Sequence, residues 1–439
     1  MYIMEENNEL PKEMYTRYRW VMAIVAGLLM TTSFISLSTF SILSDNIAKT
    51  FKISSTTLTV LGIDSFSIGL FVAFFLGHTG LFDTKIKTGI LLSQIFLIVP
   101  QFIIPVSFNL YLLVALRFFQ GLMIMILALF SLQLSGWFRP EERAISLAFT
   151  LGAMTLGTAA GAFLPGLLSG FPWQESYYIT GFVMVAGAIV YFAFARDAPE
   201  LKKSLIENKK KKHHVSPWKN SMTWVMGIMQ LPVTWTLFSI GTFLPLYETH
   251  LGYSAVLAGD GVIIWGVTGF IAAFIGAIIG DKLSKGRKAN REIFNSRLKI
   301  MTAGEALMGI GSLLLLFVGG ISFYLIAIAL IFNSFLQMFT PNYWALPRNV
   351  FPIYLIGAGA FGMGLISNSA DAIGPLVASV LTSHWSLVFG IMIAMALFGV
   401  VFNMVVMKTK IASLDSMMEE ETPEIVNDDG IIEESDMEE

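Results

Sequence analysis

Five ionisable side chains lie within long apolar stretches of this 439-residue chain. A charge at the centre of a bilayer is costly unless it is paired or hydrated, so such groups mark solute or proton pathways. They are Asp64, Arg117, Asp260, Glu305 and Asp371. Asp64 and Arg117 are each predicted about 8 residues from the same end of helices that run in the same direction, which gives them similar depth. The two side chains could form a buried ion pair, or a site where a proton or a solute replaces one partner.

Hydroxyl and amide side chains also recur at helical spacing. Thr32, Ser36 and Thr39 follow an i, i+4, i+7 pattern, which puts them on one face of a helix. These hydroxyl groups could line a polar cavity, or they could donate back to carbonyl oxygens of their own helix. Gln230 lies two residues before Pro232. A proline within a helix frees a backbone carbonyl that could bind a solute, or it simply kinks the helix.

The composition indicates that most of these residues are solvated by lipid. Hydrophobic residues make up 55% of the chain and charged residues 13%, whereas a soluble domain carries about 25% charged residues. Because a transmembrane helix needs about 20 apolar residues, we predict an all-α polytopic membrane protein with twelve transmembrane helices. The predicted spans, numbered 1 to 12 throughout, are 19–43, 56–80, 87–106, 109–135, 144–168, 175–195, 221–246, 255–280, 297–319, 321–341, 355–382 and 385–407.

The distribution of basic residues tests this topology. With the predicted spans, 25 of the 28 Lys and Arg residues fall on the side that holds both termini. Lys49 and Lys52 fall on the other side, and Arg117 lies inside span 4. The positive-inside rule then predicts that both termini are cytoplasmic. We expect a multi-pass protein of the plasma membrane.

A lysine-rich linker divides the spans into two groups of six. We predict a cytoplasmic N-terminal segment (1–18), an N-terminal six-helix bundle (19–195), a basic cytoplasmic linker (196–220), a C-terminal six-helix bundle (221–407) and an acidic cytoplasmic tail (408–439), which we expect to be disordered. Loops with an Asp followed by basic residues come after span 2 (Asp83) and after span 8 (Asp281), 198 positions apart. Parallel six-helix repeats of this kind are typical of transporters.

At these residues the sequence resembles the major facilitator superfamily, over about residues 19–407. The most specific match is at residues 117–121, which read Arg-Phe-Phe-Gln-Gly and fit that superfamily's R-x-x-Q-G motif. The loops with Asp83 and Asp281 are similar to its loop signature, the second copy being the closer match. Residues 137–144 also resemble its usual loop between spans 4 and 5.

The resemblance implies which residues surround the transport pathway. In the resembled fold, spans 1, 2, 4, 5, 7, 8, 10 and 11 line a central cavity, and the remaining spans support it. We therefore expect Arg117, Gln120, Asp64 and Asp371 to bind the substrate or to couple it to protons. Glu305, in span 9, is expected to be structural, and Asp260 could be interfacial. The candidates for lining the cavity are Thr32, Ser36, Thr39, Gln230, Trp265, Asn333, Gln337 and Asn368.

The resemblance also implies a gate formed by the two Asp-containing loops. Asp83 would contact the start of span 11, and Asp281 the start of span 5, where the helix dipole stabilises a carboxylate. Arg287 belongs to the second of these loops. Alternatively, these residues are solvated charges that only fix the topology.

Together these features predict a secondary active transporter of a small organic solute, working by alternating access and coupled to protons. Asp64 or Asp371 would carry the proton. A single cavity cation makes phosphate esters and dicarboxylates less favoured than a monocarboxylate, a neutral polar solute or an amphipathic compound. A uniporter, a drug/proton antiporter and a non-transporting receptor or scaffold stay open as alternatives.

Several other classes of protein are excluded or not expected. There are no cysteines, and there is no HExxH, GxSxG or Walker A sequence, so we expect no enzyme and no ATP-driven pump. We expect no cofactor, no metal and no nucleic acid. The expected partners are a small-molecule substrate, protons and the lipid bilayer, and the chain is expected to act as a monomer.

Overall fold

The computed structural model describes residues 17–77, 82, 85–168, 170–198, 216–287, 289–318, 320–352 and 355–411. Within these ranges every regular element is a helix, so the predicted all-α fold is confirmed. The predicted N-terminal segment (apart from its last two residues), most of the basic linker and nearly all of the acidic tail lie outside the described residues. The limits of the two bundles stay predictions.

Eleven of the helical stretches in these ranges are long and apolar enough to cross a membrane as single units. Spans 1 to 10 and span 12 correspond to Tyr18–Phe51, Ser55–Gly77, Ile86–Val106, Leu110–Ser135, Pro140–Leu167, Trp173–Phe194, Ser221–His250, Leu257–Ser284, Asn290–Val318, Phe323–Trp344 and Trp385–Lys408.

The twelfth crossing, span 11, consists of two consecutive helices, Ile356–Ser367 and Ser369–Val380, with Asn368 between them. Each has 12 residues, so together they reach about 36 Å at 1.5 Å per residue. That length exceeds the hydrocarbon core of about 30 Å. Hydropathy alone predicted a continuous helix here, because a single interrupted turn leaves the apolar pattern unchanged.

Several predicted span boundaries were wrong, and span 8, for example, continues to Ser284 instead of residue 280. Span 1 continues to Phe51 because Ile47 and Ala48 remain buried beyond the predicted end at residue 43. Span 7 continues to His250 instead of residue 246. Span 9 begins at Asn290 instead of residue 297, so Arg297 lies inside a helix, where it is buried, and not in a loop.

The supporting spans present apolar side chains to the outside of the molecule. The exposed large hydrophobic residues of spans 3, 6, 9 and 12 include Ile95, Phe182, Phe192, Phe317, Leu397 and Val401. Such surfaces suit contact with lipid chains. We call the side of the molecule that carries the loops predicted to be cytoplasmic, such as 136–142 and 285–287, the basic face, and the other side the opposite face.

Candidate functional site

The carboxylate of Asp281, at the end of span 8, binds the beginning of a helix in the other half. Its Oδ1 and Oδ2 atoms accept hydrogen bonds from the backbone N–H groups of Ala144 (3.2 Å) and Ile145 (2.8 Å). These N–H groups open the helix Arg143–Leu151, and free N–H groups at a helix start attract anions. Arg297 donates to Asp281 Oδ1 at 2.8 Å and to the carbonyl of Pro140 at 2.8 Å. Asp281 therefore lies where the resemblance places it.

Further hydrogen bonds join the two halves near the basic face, from span 4 and the start of span 5 to span 10 and the short helix that follows it. They are Ser131 Oγ to the Trp344 carbonyl (2.6 Å), Arg348 Nη1 to the Ser135 carbonyl (2.7 Å) and Arg143 Nη1 to Asn349 Oδ1 (3.3 Å). Together with Asp281 they hold the two halves together at this face.

The other predicted gate residues do not join this contact. Asp83 lies outside the described residues. Arg287 is exposed, donates to the carbonyl of Leu283 in the last turn of span 8 and forms an exposed ion pair with Glu292 at 3.6 Å. Arg287 therefore makes only local contacts within the C-terminal half.

Arg117 is completely buried inside the N-terminal half. Its guanidinium carbon lies 4.3 Å from the centroid of the Phe40 ring and 4.9 Å from that of Phe66. Nε donates to the Gly62 carbonyl (3.3 Å), and Nη1 donates to Gln120 Oε1 (2.7 Å). Gln120 is also buried.

The suggested ion pair between Arg117 and Asp64 is not formed. Within the described ranges Arg117 has no carboxylate within 4.0 Å, and Asp64 Oδ1 has no hydrogen-bond partner there. The reason is the direction of the side chains, because residues two apart on a helix do not face the same way. Arg117 contacts the face of span 2 that carries Gly62 and Phe66, and Asp64 points away from that face.

Gln120 links the arginine to the supporting spans of the same half. Its Nε2 donates to Gln101 Oε1 (2.8 Å), and Gln101 Nε2 donates to Thr180 Oγ1 (2.9 Å). All of these side chains are buried. The R-x-x-Q-G motif thus anchors span 4 to spans 2, 3 and 6.

Asp371 is the buried carboxyl group at the contact between the halves. Its side chain has no exposed surface, and neither carboxyl oxygen has a partner among the residues placed in the structure. Its backbone carbonyl accepts a hydrogen bond from Ser67 Oγ of span 2 at 3.1 Å. The sequence located this residue correctly within an apolar span, but it could not show that span 2 contacts it.

Three amide side chains among the cavity candidates are buried with unpartnered polar atoms. Asn368, at the break in span 11, donates to the Gly364 carbonyl at 2.7 Å, and its Oδ1 accepts no hydrogen bond from the residues that the structure describes. Gln230 Oε1 and both polar atoms of Gln337 also lack partners in the described part of the chain. These atoms are available to a solute or to water.

The other cavity candidates are engaged in structural contacts. Thr32, Ser36 and Thr39 donate to the carbonyls of Leu29, Ser33 and Ile35 respectively, at 3.0, 3.1 and 2.8 Å. The hydroxyl stripe of span 1 therefore shows the back-bonding alternative, and its cavity-lining role stays a prediction. Trp265 Nε1 donates to Asn333 Oδ1 (2.9 Å), and Asn333 donates to Ser312 Oγ (3.1 Å), which ties spans 8, 10 and 9 together.

Two further buried acids lie in the C-terminal half. Glu305, which we expected to be structural, accepts a hydrogen bond from Asn403 of span 12 at 2.6 Å. Glu248 was missed because the predicted span 7 ended two residues before it. It has no exposed surface, and neither carboxyl oxygen has a partner within the described ranges. Only a longer prediction for span 7, which the structure extends to His250, would have placed it inside a helix.

Comparison with known proteins places the fold among transporters. A sequence model of the Major Facilitator Superfamily matches residues 20–295, more than half of the chain. Two rice (Oryza sativa subsp. japonica) proteins, "Probable anion transporter 6" and "Probable anion transporter 7", are 26% identical over 167 residues and 25% identical over 172 residues. Each match covers 34% of this chain and 39% of the rice protein, so the chain spans about two fifths of the length of these relatives.

Two solved structures share the architecture over most of their length. The human organic anion transporter MFSD10 (TETRAN) superimposes with a TM-score of 0.67 at 14% identity, covering 90% of this chain and 100% of that one. The proton:xylose symporter XylE, bound to 6-bromo-6-deoxy-D-glucose, gives a TM-score of 0.71 at 13% identity, covering 92% and 99%. At such low identity these matches establish the fold alone.

Proposed function

This chain belongs to the Major Facilitator Superfamily, and we propose that it is a proton-coupled secondary active transporter of a small organic anion. The observation that carries the proposal is Asp371, a fully buried carboxyl group with two unpartnered oxygens at the contact between the halves. An unpaired carboxylate is costly to bury, so this group can alternate between a protonated form, which accompanies the bound anion, and a deprotonated form. We choose Asp371 over Asp64 as the proton carrier because Asp64 is only partly buried.

The charge of the N-terminal half supports an anion with a single charge. Arg117 is buried without a carboxylate partner in the described ranges, and a fixed positive charge in an apolar wall attracts an anion. The names of the two rice relatives point to anions as well. One cation balances one negative charge, so a monocarboxylate fits better than a dicarboxylate or a phosphate ester.

We further propose that transport proceeds by alternating access and that the structure is closed at the basic face. The hydrogen bonds of Asp281, Ser131 and Arg348 across the halves would have to break before a solute could leave on that side. The positive-inside rule makes the basic face cytoplasmic, with both termini there. Residence in the plasma membrane and a monomeric state belong to the same proposal.

The test is uptake of radiolabelled lactate by purified protein in liposomes, with and without an inward proton gradient. We expect the gradient to drive accumulation above the level in protein-free liposomes, because each anion enters with a proton. Asp371→Asn cannot release a proton and is expected to lose accumulation while keeping lactate exchange.

Two matched variants serve as controls. Glu305→Gln changes a buried acid of a supporting span, and Asp64→Asn changes the other candidate acid, so both are expected to retain accumulation. Lactate uptake that is the same with and without the proton gradient would identify a uniporter. It would contradict the proposed coupling of lactate transport to protons. Full accumulation by Asp371→Asn would contradict the assignment of this residue.

A further inference from the structure

Span 7 carries a continuous ridge of polar residues that the proposed transport cycle does not yet use. Thr236, Ser239, Thr242, Pro245 and Glu248 follow one another at intervals of three residues. Residues three apart on a helix are neighbours, with Cβ atoms about 5–6 Å apart. The four polar members are buried, with side-chain exposures of 0, 1, 2 and 0%.

The hydroxyl groups of this ridge are unusual because they do not bond to their own helix. Thr236 Oγ1, Ser239 Oγ and Thr242 Oγ1 have no hydrogen-bond partner among the residues that the structure describes. By contrast, Thr223, Thr234 and Thr249 of the same helix each donate to a carbonyl oxygen. A buried hydroxyl without a partner is costly, which favours a ridge that is hydrated when it functions.

Pro245 is the one member of the ridge without a polar side chain, but it leaves a polar backbone group available at that position. It lies inside the helix, and a proline has no N–H to donate to the carbonyl four residues earlier. That carbonyl belongs to Gly241, so an acceptor becomes available between Thr242 and Glu248. A buried water needs two to four polar partners, and the hydroxyls, this carbonyl and the Glu248 carboxyl supply them along the row.

The ridge ends next to water on the opposite face. Glu248 is buried, but the next two residues, Thr249 and His250, are exposed. Glu248 Oε1 occupies the space that a Cβ of residue 261 would need, so the carboxyl group packs directly against Gly261 of span 8. Asp260, exposed on span 8, is close enough to interact electrostatically with Glu248. Tyr247, the other titratable neighbour, donates its hydroxyl to the Leu315 carbonyl.

Near its other end, at Ser239, the ridge meets the helix that carries Asp371. Ser239 Oγ lies 3.0 Å from the position that a Cβ of Gly374 would take, so span 7 packs directly on span 11 at this level. Asp371 precedes Gly374 by three residues on the helix Ser369–Val380, so the two residues are neighbours on the surface of that helix. Ser239 and Glu248 are nine residues apart, about 13 Å along the helix axis.

We propose that this ridge conducts protons between the opposite face and Asp371, with Glu248 as the group that exchanges protons with the outer water. Two unpartnered carboxyl groups at the ends of a row of buried hydroxyls form the arrangement that a proton relay requires. The assignment rests on the proposed function, in which Asp371 carries the coupled proton. It adds the route by which that proton arrives while the basic face is closed.

The experiment follows hydrogen–deuterium exchange at Asp371 by infrared spectroscopy on the purified protein in lipid nanodiscs, with no substrate present. The carbonyl stretch of the protonated Asp371 side chain is identified by its loss in Asp371→Asn. After mixing with D2O, we expect the band to shift about tenfold more slowly in Ser239→Ala/Thr242→Val and in Glu248→Gln, because removing a relay hydrogen bond costs about 1.4 kcal/mol. Thr234→Val is the matched control, since the Thr234 hydroxyl donates to the Ser367 carbonyl at 2.8 Å, and it should exchange at the wild-type rate.

Each outcome decides a different question. Wild-type exchange in both the double hydroxyl variant and Glu248→Gln would overturn the relay and leave the role of Asp371 intact. Equal slowing in Thr234→Val would also overturn it, because the effect would then come from the packing of span 7. The absence of any protonated Asp371 band in the wild type would overturn the coupling group of the proposed function, and the relay with it.

Discussion

Arg117 shows how a positive charge is held in an apolar interior without a counter-charge. The effective penalty for burying an ion is several kcal/mol. A desolvated cation–π contact contributes about 2 kcal/mol, and a hydrogen bond from a charged group about 1.5–3 kcal/mol. Two aromatic rings and two hydrogen bonds surround this guanidinium and offset part of the penalty. Its Nη2 atom has no hydrogen-bond partner in the described ranges.

Replacing Arg117 by alanine is expected to abolish lactate uptake while the protein still inserts in the membrane. The Gly62 carbonyl and Gln120 Oε1 lose their donors, which should destabilise the fold by about 1–3 kcal/mol for each buried group. Thermal unfolding in detergent and liposome uptake measure the two effects. Arg287→Ala, at an exposed arginine with only local contacts, should change neither. Wild-type uptake by Arg117→Ala would contradict a role for this residue in transport.

Between elements, the contact of Asp281 with the helix Arg143–Leu151 joins the C-terminal half to the N-terminal half. A carboxylate at a helix N-terminus contributes roughly 0.3–1 kcal/mol, and up to about 2 kcal/mol when it is partly buried. Asp281 is 7% exposed, so the higher value applies. A contact of this size would favour the closed basic face and could still break in the alternating-access cycle that we propose.

Asp281→Asn is expected to open the basic face more often. The chain contains no cysteine, so Ser135→Cys introduces a unique thiol beneath Arg348 without further changes. Losing about 1–2 kcal/mol of closure should raise the rate of labelling by a membrane-impermeant maleimide about five- to thirtyfold. Lys282→Gln, at the exposed next residue, is the control. Equal labelling in Asp281→Asn and the control would show that this contact does not hold the gate.

Spans 9 and 12 are held together by a different polar contact, Asn403 Nδ2 to Glu305 Oε2 at 2.6 Å. Asn403→Leu leaves the buried carboxyl group without its donor and should destabilise the fold by about 1–3 kcal/mol. Replacing both partners, in Glu305→Met/Asn403→Leu, should restore most of the loss because no unpaired polar group remains. Thermal unfolding of the two variants distinguishes the cases. A double variant that is no more stable than Asn403→Leu would indicate that the pair has a role beyond packing.

At the scale of the whole molecule, the sequence was sufficient for the all-α class and the family. Hydropathy and charge counts depend on local composition, which the bilayer enforces along the whole chain. The direction in which each side chain points could not be predicted from hydropathy and charge counts. Asp64 and Arg117 have similar depth but face different ways, and the hydroxyls of span 1 bond to their own helix while those of Thr236, Ser239 and Thr242 do not. These differences depend on which neighbouring helix each helix face contacts. Those contacts between helices could not be predicted from a single sequence.

The most direct test of alternating access is the distance between the halves on each side of the molecule. Spin labels at exposed positions report it by electron paramagnetic resonance: Lys85→Cys with Lys285→Cys for the basic face, and Asn46→Cys with Thr249→Cys for the opposite face. We predict that lactate with an acid shift lengthens the first distance and shortens the second, and that Asp371→Asn abolishes both changes. Distances that stay constant, or that change in the same direction on both faces, would contradict a carrier whose two halves open alternately.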